Sequence, residues 1–342
     1  MLNDKRICVI GAGAIGGVVS AMLARQGYPV QLVTKHHDLA ARISDQGIQI
    51  LGVCGNFTQT IPSVARAEQL EGKFEYVLIA TKANALAQVA KEILSFIHEE
   101  SRVVSMQNGI CEDILANIVG EQRTVGCVVG WGGTMHEPGK VEMTSGGEFV
   151  IGNWKRMQDM PLEELAAILN AVVPVRITND ILPELYSKMI INACITTLGV
   201  ICGLHLGEML AMKKARNLFI AIIREAIEVA RAMELRVAPG AAGKLDYYKF
   251  LAPGFLSNLR RHVTIRVIGL KYRKLKSSSL QSLKRGRKTE VNNYNGYIAR
   301  KGKEFNVAAP VNEQLTQMVS EIENGLRPIT PENFKEIKDP SL

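Results

Sequence analysis

Arg6-Ile7-Cys8-Val9-Ile10-Gly11-Ala12-Gly13-Ala14-Ile15-Gly16 decides how this chain begins to fold. A short apolar run ends in glycine, the pattern of a strand buried on both faces in a parallel sheet. Ala14 to Gln26 then reads as a helix, with Gly27 where helices often stop. The three glycines have the spacing GxGxxG between strand and helix. Gly11 permits the tight turn, Gly13 lets a pyrophosphate reach the backbone, and Gly16 lets the helix pack close on the sheet. The helix N-terminus then faces the phosphate charge. Gly11, Ala12, Gly13, Ala14, Ile15 and Gly16 are therefore the expected dinucleotide cradle.

Which dinucleotide is read at the end of the second strand. A site for NAD usually places an acid about twenty residues on, against the ribose hydroxyls. Here the chain runs Gln31-Leu32-Val33-Thr34-Lys35-His36-His37, and the first acid is Asp38. A lysine and two histidines suit a 2′-phosphate, so NADPH is expected, with Lys35 as its reader; a solvated loop lysine is the plainer alternative.

Working outward, strands are predicted at Val30–Val33, Ile48–Leu51, Thr58–Val64, Tyr76–Thr81, Val103–Met106 and Val125–Val129. Helices are predicted at Asn84 to about His98 and at Glu112–Val119. This alternation implies an α/β, Rossmann-type, doubly wound parallel sheet. Pro138-Gly139 and Gly146-Gly147 suggest a hairpin within Gly130–Gly152. From Pro161 onward the patterning is helical, which implies an all-α second domain. The expected division is 1–175, 176–328 and an irregular tail, 329–342. In that second half Ile181–Val200 reads as one long helix. Leu256, Leu259, Val263, Val267 and Leu270 are spaced 3, 4, 4, 3, an amphipathic helix expected to bury this stripe and carry basic residues outside.

The bulk numbers fit two globular domains: 342 residues, 47 % hydrophobic and 22 % charged. No window reaches eighteen apolar residues without a polar break. Six cysteines are scattered with no CxxC pair, and no signal-peptide layout opens the chain, so a cytoplasmic protein with reduced thiols is expected. The net charge of +8 is local: Tyr247 to Thr289 holds twelve Lys or Arg and no acid. A solvated face, an anion-attracting patch and nucleic-acid binding compete to explain it. The last lacks a recognition module and interleaved aromatics.

The chemistry is sought in Tyr186-Ser187-Lys188-Met189-Ile190-Ile191-Asn192-Ala193-Cys194. Lys188 and Asn192 share a helix face, and an apolar helix disfavours the lysine charge, which suits acid–base work. A lysine snorkelling out of a core helix has the same sequence. Glu290 is the one acid in a strongly basic neighbourhood, where a neutralising ion pair is its ordinary role. No metal-ligand spacing occurs among the His and Cys residues.

Together these segments resemble the ketopantoate reductase family (2-dehydropantoate 2-reductases) over nearly the full length. The likeness rests on the Gly-rich turn, Ala80-Thr81-Lys82, Gln107-Asn108-Gly109, Lys188 through Asn192, Gly207-Glu208 and Ser278 through Gly296. It implies Lys188 as general acid toward a ketone oxygen and Glu290 as the carboxylate holding a substrate hydroxyl or the cofactor ribose. It implies Asn108 near nicotinamide and substrate, Lys82 beside the cofactor, and Asn192 and Ser278 as substrate contacts. The family's Asn-Pro-Leu-Thr is here Thr196-Thr197-Leu198-Gly199, so Thr196 stands for an expected asparagine and is expected to contact substrate through one donated hydrogen bond. Val291-Asn292-Asn293 replaces Ile-Asp-Tyr, and Pro239 to Lys276 is longer than in compact members.

The resulting expectation is NADPH-dependent reduction of a small 2-oxo acid in a cleft between the domains. Ketopantoate, giving pantoate for pantothenate and coenzyme A synthesis, leads. A related reductase for another 2-oxo acid, or a non-catalytic NADP-sensing protein of the same fold, stand as alternatives. The expected partners are the substrate and at most a second copy of the chain, with neither nucleic acid nor membrane.

Overall fold

The computed structural model describes residues 4–156, 161–240 and 245–338. They fall into two compact units, Met1–Leu185 and Tyr186–Leu342. The first unit is laid out as β1 (Ile7–Ile10), α1 (Ala14–Arg25), β2 (Val30–Val33), α2 (His37–Asp45), β3 (Ile48–Gly52), β4 (Phe57–Gln59), β5 (Ser63–Val64), β6 (Tyr76–Ile79), α3 (Leu86–Glu92), β7 (Arg102–Ser105), α4 (Glu112–Val119), β8 (Thr124–Val129), β9 (Gly132–Glu137), β10 (Lys140–Ser145), β11 (Phe149–Asn153), α5 (Glu163–Leu169) and β12 (Val175–Ile177). One sheet has the order β12-β11-β8-β7-β6-β1-β2-β5. Every pairing in it is parallel except β8 with β11. Because β1 pairs with β2 on one side and β6 on the other, the winding reverses at β1. In such sheets that reversal opens a crevice at the carboxyl ends of the strands.

A second sheet, β4-β3-β10-β9, lies on the other side of α1. That explains a helix with few polar residues: Val18, Val19 and Leu23 share one core with Ile48, Ile50 and Val141. A helix covered on both sides must be apolar almost all round.

The second unit is helical: most of α6 (Leu182–Cys202), then α7 (Leu206–Ala211), α8 (Lys213–Ala232), α9 (Tyr247–Leu251), α10 (Ser257–Lys271), α11 (Ser278–Lys284), α12 (Asn295–Glu304), α13 (Pro310–Glu323) and α14 (Asn333–Glu336). α6 is long and apolar enough to cross a membrane, but 78 % of its most apolar window is buried inside the protein. Its Tyr186 hydroxyl donates to the Ala226 carbonyl of α8 at 2.8 Å. A buried polar chain joins four helices. The Thr197 hydroxyl donates to Asn295 Oδ1 (2.6 Å), and Asn295 Nδ2 donates to Asn312 Oδ1 (2.9 Å). Glu225 completes it by accepting the Val311 and Asn312 amides at 2.8 and 2.9 Å. A buried carboxylate on the first amides of α13 satisfies donors that the helix itself leaves open.

The structure departs from the sequence reading at several points. Thr58–Val64 is two strands in different sheets, β4 on β3 and β5 on β2, separated at Pro62, which has no N–H for a ladder. The hairpin β9–β10 belongs to the second sheet, while β11 extends the first. Helix α3 is shorter than expected, flanked by single 3₁₀ turns at Ala83–Ala85 and Leu94–Phe96. α2 and β12 were not foreseen. The tail expected to be irregular contains α14, held where Asn333 Nδ2 donates to the carbonyls of Ile201 (3.1 Å) and Pro328 (2.9 Å).

The largest correction concerns α10. Its predicted inward stripe faces out, and only Ile265 and Gly269 of this helix are buried. The helix approaches α7 closely at Gly269. A Cβ there would stand 2.9 Å from Leu210 Cβ, so α10 lies on α7 along its glycine edge and leaves the leucines outside.

Candidate active site

In the first unit the predicted cofactor residues gather at one edge of the sheet. Gly11 has φ +111°, a conformation that favours glycine, and its amide donates to the Val33 carbonyl at 2.9 Å. A Cβ on Gly16 would stand 2.0 Å from the Gly11 carbonyl oxygen, so the helix can start this close only with glycine there. A Cβ on Gly13 would meet nothing within 4 Å and point into open space. Gly13 is also the N-cap of α1, which has no side-chain cap and no acid in its first turn. Ala12 is buried, and Ala14 and Ile15 are half-buried.

The neighbouring loops complete the edge. After β6 come Ala80, whose amide donates to Ile10 O at 2.9 Å, then Thr81 and the half-buried Lys82. The buried Thr81 Oγ1 finds no hydrogen-bond partner among the described residues. After β7 comes Gln107, whose amide nitrogen donates to the Ile79 carbonyl (3.1 Å) and whose oxygen accepts from Ser105 (2.7 Å). This side chain ties the β7 loop to the end of β6 and precedes the half-buried Asn108. Lys35 is exposed just beyond β2, and Asp38, the first acid, lies in the first turn of α2. His36 caps α2 and His37 opens it, a placement hidden while α2 went unseen.

These residues fit a dinucleotide. An uncapped helix N-terminus without an acid favours phosphate, a glycine open to solvent lets it approach, and an orphan hydroxyl awaits a polar partner. Sequence reasoning missed Glu112, in the first turn of α4. It is fully buried; Oε2 accepts the Cys111 amide at 2.9 Å, while Oε1 has no hydrogen-bond partner among the described residues. Burial pushes its carboxyl up to about 7. An acid there reads simply as a helix-dipole residue, so nothing in the sequence flagged its burial.

In the second unit, Lys188 and Asn192 lie one turn apart on α6, both half-buried beside the fully buried Met189, Ile190 and Ala193. Thr196, another turn on, is buried, and its hydroxyl donates to the Asn192 carbonyl at 2.7 Å. Its hydrogen is thus engaged within the helix, which corrects the expectation that Thr196 donates to substrate. The buried Ser277 caps α11 and donates to the Thr196 carbonyl at 2.8 Å, which seats the exposed Ser278 at the start of α11. The approach depends on Gly199, where a Cβ would stand 2.6 Å from Ser277 Cβ. Glu290 is half-buried and accepts from the Tyr294 hydroxyl at 3.1 Å. Among the described residues no group of three or more His, Cys, Asp or Glu is placed to hold a metal.

The fold and these loops have known counterparts. Residues 7–156 match the model for "Ketopantoate reductase PanE/ApbA", and residues 180–323 match that for its C-terminal domain. The 2-dehydropantoate 2-reductase of Archaeoglobus fulgidus is 28 % identical, aligned over 95 % of this chain and 100 % of its own. A crystal structure of a PanE/ApbA family ketopantoate reductase from Ralstonia eutropha JMP134 superposes with a TM-score of 0.79 at 25 % identity, covering 94 % of this chain and 99 % of the other. In fold alone, D-mandelate dehydrogenase with NADH and anilino(oxo)acetate is similar, with a TM-score of 0.80 at 23 % identity over 94 % of this chain and 99 % of that one. With both of its halves matched in order, and with the Gly-rich turn and the lysine helix in place, the chain belongs to the ketopantoate reductase family of oxidoreductases.

Proposed function

We propose that this enzyme reduces ketopantoate (2-dehydropantoate) to pantoate with NADPH, in the cytoplasm, as a step toward pantothenate and coenzyme A. The observation that carries the cofactor is the edge formed by the Gly-rich turn, Thr81 and Lys35, with no acid where ribose hydroxyls would be held. Bound there, the dihydronicotinamide supplies the hydride for the ketone carbon. The α1 N-terminus and the Gly13 backbone hold the pyrophosphate, Lys35 the 2′-phosphate, and Lys82 the rim beside it.

In the same reading Lys188 holds the proton that the developing alkoxide takes up, with its Nζ as donor. Asn108, Asn192 and Ser278 offer amide and hydroxyl groups to a small carboxylate. Glu290, oriented by Tyr294, accepts a substrate hydroxyl. The six cysteines, none of them in a disulfide among the described residues, suit a reducing compartment. A second reading, a different 2-oxo acid, is favoured by Thr196, whose hydroxyl hydrogen goes to Asn192 O rather than outward.

Following NADPH and NADH absorbance with ketopantoate and a panel of 2-oxo acids tests all of this. NADPH oxidation fastest with ketopantoate is expected. Preference for another 2-oxo acid selects the second reading, and tight NADPH binding without any turnover defeats the catalytic one.

A further inference from the structure

Buried polar side chains at the carboxyl ends of β6 and β7 fix one another's hydrogens. The Ile79 carbonyl can only accept, so it faces the nitrogen of the Gln107 amide, which donates to it at 3.1 Å. That turns Gln107 Oε1 toward Ser105, whose hydroxyl donates to it at 2.7 Å. A serine hydroxyl has one hydrogen, and here it is spent on Gln107. The Ser105 hydroxyl also lies beside the Glu112 carboxyl, where its oxygen has only lone pairs left to offer. Glu112 Oε2 accepts the Cys111 amide, and Oε1 has no hydrogen-bond partner among the described residues. A hydrogen between Ser105 and Glu112 therefore has to come from the carboxyl.

We propose that Glu112 is a positioning residue that works as a neutral carboxylic acid. Its O–H donates to Ser105 Oγ and completes a one-way chain, Glu112 to Ser105 to Gln107 to Ile79, that holds the Asn108 loop for the reaction. The loop is tied at both ends. Gln107 anchors its start to β6, Glu112 accepts the Cys111 amide at its end, and Gly109 turns the backbone between them at φ +92°. The inference rests on the proposed function, in which Asn108 offers its amide to the substrate. A group in that role must be held to within a fraction of an ångström.

Burial raises the Glu112 carboxyl to about 7, which favours the neutral form, and the exposed Asp113 beside it acts in the same direction. The charged groups on the elements packed against α4 are directed elsewhere. Glu92 of α3 accepts from Gln88, and Arg102, at the opposite end of β7, donates to the Glu100 carbonyl. Beyond the far end of α4, Arg123 donates to Val119 O and Glu121 pairs with Lys155. Lys91 of α3 is exposed, and the remaining titratable groups are the buried thiols of Cys111 and of Cys127 on β8. An ionised Glu112 would draw the Ser105 hydrogen to itself and leave Gln107 Oε1 buried without its donor.

The test compares the full chain with Glu112→Gln, Glu112→Ala and Ser105→Ala, using NADPH and ketopantoate. A glutamine amide carries the needed hydrogen at every pH, and alanine carries none. At about pH 6, Glu112→Ala and Ser105→Ala should lower kcat about ten- to a hundredfold, and Glu112→Gln should recover most of that loss. From about pH 6 to about pH 8 the wild-type kcat should fall about fivefold more than that of Glu112→Gln, because only the wild type loses this hydrogen on passing about 7. A residue that merely accepts the Cys111 amide predicts parallel profiles, since acid, carboxylate and glutamine all accept. Infrared difference spectra, wild type minus Glu112→Gln at about pH 6, need no turnover and should show the carbonyl stretch of a protonated carboxylic acid. An absent band, parallel profiles, or equal losses in the Gln and Ala variants overturns the proposal. Where Glu112→Ala does not fold, the Gln profile and the band still decide. A wild type that shows the band but reduces no 2-oxo acid defeats the proposed function and leaves the chain of hydrogen bonds standing.

Discussion

The Gly11 carbonyl oxygen lies 2.0 Å from where Gly16 would carry a Cβ, while Gly13, between them in sequence, looks onto open space. The two glycines should therefore fail differently when replaced. Gly16→Ala must shift the turn or the helix, with a cost of about 1–3 kcal/mol and a lower melting temperature. Gly13→Ala should leave melting unchanged and weaken dinucleotide binding in a fluorescence titration. Equal melting losses for both would contradict the cradle.

Lys35 stands at the end of β2, and no acid precedes Asp38 in α2. Replacing Lys35→Ala should weaken NADPH binding about tenfold, ~1.4 kcal/mol, and leave NADH binding alone. Titrating both cofactors separates this from a general loss. If NADPH affinity is unmoved, another group reads the phosphate.

Lys188 is half-buried one turn before Asn192 on a helix that is otherwise core. Lys188→Ala is expected to lower kcat by about 10²–10⁴-fold, the range for loss of a positioned proton donor. Cofactor binding should be unchanged. A rate within a factor of a few of the wild type removes Lys188 from the mechanism.

Glu112 ties stability to pH. Its carboxyl is raised by burial from about 4.5 to about 7, so between these values the folded protein holds a proton that the unfolded chain has released. The stabilisation is complete below pH 4.5 and is lost as pH rises through about 7. Glu112→Gln keeps a neutral side chain throughout. Unfolding midpoints across this range should therefore fall with pH less steeply in the variant; parallel curves would show that Glu112 contributes no such slope.

Much of the fold was legible because local rules suffice for it. The β1–α1 turn, β2, α4 and α6 follow from runs of apolar residues punctuated by glycine. What was missed has an equally local cause. α2 hides because Leu39, Ala40 and Ile43 make too short an apolar pattern beside His37 and Asp38. The division of Thr58–Val64 between two sheets depends on partners far away in the chain. For the site, residue types and spacing singled out Lys188, Asn192 and Glu290. They did not show that the Thr196 hydroxyl is engaged by the Asn192 carbonyl, or that Glu112 is fully buried.

The sequence by itself determined that a dinucleotide turn opens the chain, because GxGxxG between strand and helix constrains backbone geometry within a few residues. It also determined that α10 carries an apolar stripe, because periodicity is a property of one helix. Only the tertiary structure decided where that stripe points. Which face a helix buries depends on its packing partners, and here α10 lies against α7 at Gly269 and Leu210 and leaves the stripe at the surface.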